Sequence, residues 1–207
     1  DLCYNQQMVT IYLVRHGNKE AVPFDPALTK IGLKQAEVTA EYLRATPFQA
    51  IIVSPKTRTQ QTARAIALAQ SMDFTVDNRL TERMEWENNE SFDEFIYEWS
   101  KTDNDRKYQP LGGDSSNKKG EKMKQVIQEY SAKLEDGNIL LVTHGGSIGD
   151  LLRLLFGEKD THHVLDPVTH APHIQIGECS ITVIEKNGDN YELLKINDTS
   201  HLSTPLS

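Results

Sequence analysis

The sequence predicts an α/β protein: a three-layer sandwich with a mostly parallel central sheet, helices on both faces and an antiparallel edge strand. Two observations support this prediction. Short β-branched, apolar runs alternate with longer segments whose apolar residues recur at helical spacing, as in Val9–Val14 followed by Lys30–Arg44. Near the C-terminus, Ser180–Glu185 and Tyr191–Ile196 flank Asn187-Gly188, a dipeptide typical of tight hairpins. This hairpin is expected to supply the antiparallel edge.

The first half of the chain predicts two strand–helix units. Thr29 is a suitable N-cap for the helix over Lys30–Arg44, because its side-chain oxygen can accept from an amide of the first turn. Ala50–Val53 is an apolar run that predicts a second buried strand. Ser54-Pro55 then predicts a helix start with Ser54 as N-cap, and the helix continues over Lys56–Ala69.

The pattern weakens after this helix and recovers towards the C-terminus. Two helices separated by a polar loop are expected first, and then an apolar strand followed by a helix that a glycine ends. In chain order, the predicted elements are a helix over Glu90–Trp99, a loop over Thr102–Lys119, a helix over Glu121–Leu134, a strand over Ile139–Val142, and a helix near Ser147–Leu155 that ends at Gly157.

The chain has 207 residues and contains no internal repeat or linker-like stretch. This predicts a single domain over residues 8–207. Asp1–Gln7 precede Met8, which lies directly before the first predicted strand. We interpret Asp1–Gln7 as an N-terminal extension or a cloning remnant.

Composition excludes several classes of partner. The formal net charge of −8 argues against a nucleic-acid binder, which would present a basic face. No apolar run approaches the roughly 18–20 residues of a membrane span. Two cysteines, Cys3 and Cys179, form neither a disulfide framework nor a zinc motif. We therefore expect a cytoplasmic protein with no nucleic-acid partner and no membrane partner, and the sequence leaves its oligomeric state open.

Histidines and arginines follow three predicted strands. In open α/β sheets ligands bind at the carboxyl ends of the strands. Arg15 and His16 follow the first strand, His144 follows the strand over Ile139–Val142, and Arg58 lies within one helical turn of the second strand. Together they would repel one another unless an anion joined them, and the arginine fork suits a phosphoryl group. The pattern favours a phosphate site.

The segments that contain these residues resemble the histidine phosphatase superfamily, also called the phosphoglycerate mutase-like family. The resemblance extends over most of the chain from Met8 onward. It depends on Leu13–Gly17, on Leu28-Thr29 with Gly32, Gln35 and Ala36, on Ser54–Ala63, on Leu80–Glu82 and on Thr143–Gly146.

The resemblance implies a set of catalytic roles. His16 would be the nucleophile and form a covalent phosphohistidine, with Arg15, Arg58 and His144 neutralising the phosphoryl oxygens. Glu82 would protonate the leaving group and then activate water, and Glu85 is the alternative acid. We expect no metal and no cofactor, because protein cations take the place of a metal. The expected phosphate-binding residues are Arg15, Gly17, Asn18, Arg58, His144 and Gly145.

The sequence departs from the mutase-type members after the signature. There it continues Asn18-Lys19-Glu20-Ala21 instead of Glu or Gln followed by Ser or Thr, and the interval to Leu28-Thr29 is shorter. A metal-independent phosphatase acting on a small phosphorylated substrate is therefore the preferred hypothesis. The alternatives are a cofactor-dependent phosphoglycerate mutase or sugar-bisphosphate phosphatase, and a non-catalytic module that binds a phospho-ligand. The sequence does not identify the substrate.

Two further groups of residues receive structural interpretations. Four histidines lie in Thr161–His173 with a spacing that fits no strong metal motif, and a surface loop is predicted for them. They are His162, His163, His170 and His173. Four aromatic residues are interpreted as helix packing instead of a ligand cage. They are Trp86, Phe92, Phe95 and Trp99.

Overall fold

The computed structural model describes residues 7–87, 90–157, 163–165 and 172–203. Its helices are α1 (Lys30–Leu43), α2 (Thr57–Gln70), α3 (Phe92–Asn104), α4 (Ser116–Ser131) and α5 (Gly145–Phe156). Its strands are β1 (Met8–Arg15), β2 (Ala50–Val53), β3 (Thr75–Val76), β4 (Asp136–Thr143), β5 (His163–Leu165), β6 (Pro172–Ile174), β7 (Ile181–Asn187) and β8 (Asn190–Asp198).

Six of these strands form the central sheet in the order β3-β2-β4-β1-β7-β8. β3, β2, β4 and β1 pair in parallel, β7 runs antiparallel to β1, and β8 pairs antiparallel with β7. β5 and β6 form a separate antiparallel pair. The predicted fold class is therefore confirmed, including the antiparallel edge that the hairpin supplies.

Helices cover both faces of the sheet. Alternate residues of β1 point to opposite faces, so Ile11 and Leu13 join one core cluster and Val14 joins the other. α4 and α5 pack on the first face through residues such as Met123 and Leu151. α1 and α2 pack on the second face. Because both faces are buried, β1 carries apolar residues on both of its sides, as expected for such strands.

Two predicted boundaries are wrong. Ser54 is not the N-cap of α2, which begins at Thr57 after Lys56; the Ser54 hydroxyl instead lies 2.8 Å from Nε2 of His144. The loop over Thr102–Lys119 is also shorter than predicted. α3 continues to Asn104 and α4 begins at Ser116, where the side chain of Ser115 caps the helix by accepting from Lys118 N. The loop was predicted too long because polar residues at a helix start have the same composition as a loop.

The hairpin and the histidine segment also differ from expectation. The turn residues are Gly188, with φ 58°, and Asp189, one residue later than predicted. The surface-loop interpretation is wrong at two positions, because His163 lies in β5 and His173 in β6. His162 and His170 lie outside the described residues, as does Cys3. The Thr29 cap is confirmed: its side chain accepts from Gly32 N.

Within the described ranges, every helix is too short or too polar to cross a bilayer. The single domain over residues 8–207, the cytoplasmic location and the absence of a nucleic-acid partner stay predictions. Cys179 is buried and has a free thiol.

Candidate active site

The carboxyl ends of β1, β2 and β4 meet at one edge of the sheet and open into a cavity of about 540 Å³. The sequence-predicted catalytic and phosphate-binding residues that line it are Arg15, His16, Arg58, Glu82, Glu85 and Gly145. His144 lies beside them, with its ring centroid 5.3 Å from that of His16. The strand order therefore brings together residues that are far apart along the chain.

His16 is held directly beyond β1 as a neutral ring. Its backbone amide donates to Thr143 O at 3.0 Å, and its side chain is only 3% exposed. Nδ1 lies 2.8 Å from the carbonyl oxygen of Gly17, which can only accept, so Nδ1 carries the proton and Nε2 keeps its lone pair. Burial, followed by the charges of Arg15 and Arg58, holds the pKa of His16 well below its usual range. Nε2 is thus available as a nucleophile.

His144 has the opposite tautomer. Arg58 Nη2 can only donate and lies 3.1 Å from Nδ1 of His144, so Nδ1 accepts. Nε2 then donates to Ser54 Oγ at 2.8 Å. Burial, followed by Arg58 and His16, holds the pKa of His144 well below its usual range. A neutral His144 therefore positions the guanidinium of Arg58.

Both arginines keep donors that the described residues do not satisfy. Arg15 Nη1 donates to Ile176 O at 2.6 Å, but its Nε is buried without a hydrogen-bond partner. Nε and Nη1 of Arg58 are likewise buried without one, although Asp25 Oδ1 lies 3.8 Å from Nη1. An unpaired buried donor costs about 1–3 kcal/mol. The oxygens of a phosphoryl group would relieve this cost.

Glu82 is fixed at the N-terminus of α5. Its carboxylate accepts from Gly146 N at 3.0 Å, from Ser147 Oγ at 2.9 Å and from Arg83 N at 3.1 Å. It therefore lines the cavity directly beside the second histidine motif. This placement fits a group that serves the leaving oxygen.

Glu85, the alternative acid, lies instead on the phosphate side. Both of its carboxylate oxygens accept from Arg58 Nη2, at 3.0 and 3.1 Å. Burial raises its pKa, and the positive charges of Arg58 and Lys56 oppose this rise. Glu85 thus neutralises the guanidinium to which a phosphate would bind.

The remaining predicted phosphate contacts are held by protein groups. The Asn18 side chain donates to Glu178 Oε1 at 2.9 Å and accepts from Thr29 Oγ1 at 2.7 Å. The amide of Gly17 donates to Thr62 Oγ1 at 3.1 Å. Their roles, like that of Gly145, stay predictions.

Sequence reasoning missed one wall of the cavity. Trp86 and Trp99 stand at the two ends of a series of aromatic rings, with successive centroids 5.2, 6.3 and 5.8 Å apart. All four rings line the cavity, so the interpretation as helix packing alone is wrong. The rings are Trp86, Phe92, Phe95 and Trp99. The i, i+3, i+7 spacing on α3 indicates one apolar face, but it does not indicate whether that face packs on another element or lines a cavity.

Lys19 and His173 also line the cavity, and sequence reasoning assigned neither to the site. Burial, followed by the charge of Arg58, lowers the pKa of Lys19. In the part of the chain that the structure describes, no cluster of three or more His, Cys, Asp or Glu side chains could hold a metal ion.

Comparisons with known proteins agree with this geometry. A family profile described as "Histidine phosphatase superfamily (branch 1)" matches residues 11–199. The probable phosphoglycerate mutase GpmB of Yersinia pestis (strain Pestoides F) is 28% identical over 223 residues, which cover 96% of this chain and 97% of that protein.

Solved structures share the fold. A phosphoserine phosphatase mutant from Entamoeba histolytica, in complex with phosphoserine, superposes with a TM-score of 0.73 at 23% identity, covering 94% of this chain and 99% of that one. A mycobacterial glucosyl-3-phosphoglycerate phosphatase superposes with a TM-score of 0.72 at 20% identity, covering 93% and 100%. With the family profile matching nearly the whole described chain, this protein belongs to branch 1 of the histidine phosphatase superfamily, whose enzymes are phosphatases or mutases.

Proposed function

We propose that the protein is a metal-independent phosphatase that hydrolyses a small phosphomonoester through a phosphohistidine on His16. The observation that supports this most directly is the neutral, buried His16, whose unprotonated Nε2 shares a cavity with arginine donors that lack partners. A neutral imidazole with a fixed tautomer is a competent nucleophile, and unpaired guanidinium donors are suited to the phosphoryl oxygens.

The reaction proceeds in two displacements. In the first, Nε2 of His16 bonds to phosphorus while the phosphorus–oxygen bond of the ester breaks, and Glu82 in its acid form protonates the leaving oxygen. In the second, Glu82 removes a proton from water, which attacks phosphorus and displaces His16. Arg15 and Arg58 neutralise the phosphoryl oxygens in both steps, and His144 holds Arg58 in place. The products are the alcohol and inorganic phosphate.

A mutase is the second candidate, because the relative from Yersinia pestis has the name of a probable phosphoglycerate mutase. A mutase acting on phosphoglycerate must also bind a carboxylate. The cavity-lining Arg83 donates to Asp103 and Asp150, and Arg153 lies 3.5 Å from Asp103, so protein carboxylates already neutralise both arginines. This pairing favours the phosphatase.

The test is hydrolysis of p-nitrophenyl phosphate in the presence of EDTA, for the parent and for His16→Ala. We expect turnover that survives EDTA and falls by at least about a thousandfold in the variant, because no covalent intermediate can form. His201→Gln is the control: His201 is buried outside the cavity, where it bonds Thr39 Oγ1 at 3.0 Å. Unchanged turnover in His16→Ala would refute the nucleophile assignment.

Two further assays separate the alternatives. With 3-phosphoglycerate and a 2,3-bisphosphoglycerate primer, formation of 2-phosphoglycerate instead of free phosphate would identify a mutase. Binding of vanadate without turnover of any ester would identify a non-catalytic module. We expect free phosphate in the first assay and inhibition of an active enzyme in the second.

A further inference from the structure

Beyond the phosphate end, the cavity is enclosed by two apolar walls. α3 forms the first wall with residues at positions i, i+3, i+4 and i+7, and the loop between β1 and α1 forms the second. The residues of the first wall are Phe92, Phe95, Ile96 and Trp99, and those of the second are Val22, Phe24 and Pro26.

Large apolar side chains at the mouth of the cavity face water. Val22, Phe24 and Phe92 are 50%, 52% and 53% exposed, although all three line the cavity. Exposing such side chains to water is unfavourable. Apolar surface around a concave site is typical of a place where an apolar ligand binds.

The backbone of Phe24 is strained. Its φ is 68°, in a region that bulky residues rarely adopt, and its amide donates to Trp86 O at 2.9 Å. This hydrogen bond ties the second wall to the segment that carries Trp86. Strain of this kind persists where the surroundings enforce it, and it is typical of ligand clamps.

The charge of Arg83, beside the aromatic wall, is already neutralised. Arg83 bonds Asp103 at 2.5 Å and Asp150 at 2.8 Å, and its guanidinium carbon lies 4.0 Å from the ring centroid of Trp99. A second anionic group placed beside Trp99 would have to displace these carboxylates from Arg83. A neutral group would disturb none of these pairs.

We propose that the substrate is a phosphomonoester of an alcohol whose far end is a flat, apolar ring, and that this ring lies between Phe92 of α3 and Phe24 of the loop. The inference rests on the phosphatase activity proposed above, which it deepens by naming the leaving group. Aromatic walls favour a ring because stacked and edge-to-face contacts add to the burial of apolar area.

The experiment compares 3-phenylpropyl phosphate with propyl phosphate. Both leaving groups are primary alcohols of closely similar acidity, so the ratio of their kcat/KM values reports contacts with the ring. We expect a ratio of at least about ten, which corresponds to about 1.4 kcal/mol and is modest for burying a phenyl group. A ratio near one would overturn the proposal.

Variants locate the effect. Phe92→Ala and Phe24→Ala are each expected to lower the ratio about threefold, since each removes one face of the contact. Tyr97→Ala is the matched control, because Tyr97 is 63% exposed on the same helix but does not line the cavity. If both variants retain the ratio of the parent, the ring does not lie between these walls.

A binding measurement separates this inference from the proposed activity. The corresponding phosphonates, 3-phenylpropylphosphonate and propylphosphonate, are not hydrolysed, and calorimetry gives their affinities directly. Tighter binding of the phenyl compound, lost in Phe92→Ala, supports the ring site even if no ester is turned over. Equal affinities, or no binding of either compound, overturn it even if the enzyme hydrolyses p-nitrophenyl phosphate.

Discussion

The two ends of the cavity are built from different parts of the fold. At the phosphate end, His16 and Arg58 follow central strands and are each 3% exposed. At the leaving-group end, Phe24 and Phe92 belong to a loop and a surface helix and are about half exposed. In the proposed function the sheet thus fixes the chemistry, whereas the choice of substrate is left to surface elements that can change without disturbing the sheet.

Close backbone packing makes the phosphate end rigid. A Cβ added at Gly32, in the first turn of α1, would lie 2.0 Å from Asn18 O, and one added at Gly17 would lie 2.6 Å from Gly32 O. Only glycine allows the loop after His16 to lie directly on the helix. The position of His16, the proposed nucleophile, is therefore set by backbone contacts.

Glu82→Gln tests whether the carboxyl group of Glu82, which lies in the cavity, transfers the proton to the leaving group. The amide keeps the size of the side chain but cannot donate and accept the proton, so hydrolysis of an alkyl phosphate is expected to fall about a hundredfold. p-Nitrophenyl phosphate, whose leaving group needs no proton, should be much less affected in its first step. Burst kinetics with both esters check this, and equal losses in that step would exclude Glu82 as the acid.

Gly146→Ala tests the packing between the ends. A Cβ there would lie 2.6 Å from Trp99 Cζ2 and 2.7 Å from Glu82 Oε1, so one of them must move, and we expect kcat/KM to fall about tenfold. Gly149→Ala is the control on the same helix, because its Cβ would meet Ile174 at an ordinary 3.7 Å. Similar kcat/KM values for the two variants would contradict this prediction.

Glu85→Gln tests the competition for Arg58. Removing the carboxylate charge should let an inorganic dianion bind up to about fivefold more tightly, since such an ion pair is worth at most about 1 kcal/mol. Calorimetry with sulfate, whose charge is constant near neutral pH, measures the change. The parent should approach the variant as pH falls through the raised pKa of Glu85, and the exposed Glu87→Gln should match the parent.

The smallest change is expected in the protonation of the two active-site histidines. Because the pKa values of His16 and His144 lie well below 6.5, their ring resonances should stay at neutral positions as the pH falls through 6.5, where an ordinary histidine is half protonated. The unfolded chain binds protons at these residues below about pH 6.5 and the folded one does not. As the pH falls below about 6.5, each histidine should therefore lower the free energy of unfolding by up to about 1.4 kcal/mol per pH unit. Ring titration near pH 6.5 would contradict this.

The phosphate end was largely predictable from sequence and the leaving-group end was not. A histidine directly after a buried strand must lie at the edge of the sheet, so Arg15 and His16 could be placed from local pattern alone. The face of α3 could be recognised by its spacing, but its neighbour depends on how the helix docks. The role of Ser54 was missed for the same reason: a serine before proline resembles a cap, and only the fold brings it to His144.

The order of strands in the sheet has a consequence for how the molecule folds. β1, which begins the fold, lies between β4 and β7, and Arg15 is anchored by the carbonyl of Ile176 from the far end of the chain. Contacts between such distant residues close large loops and form slowly. During synthesis β1 and His16 emerge well before β7, the strand that pairs with β1. His16, the proposed nucleophile, thus acquires its surroundings only after β7 has been made.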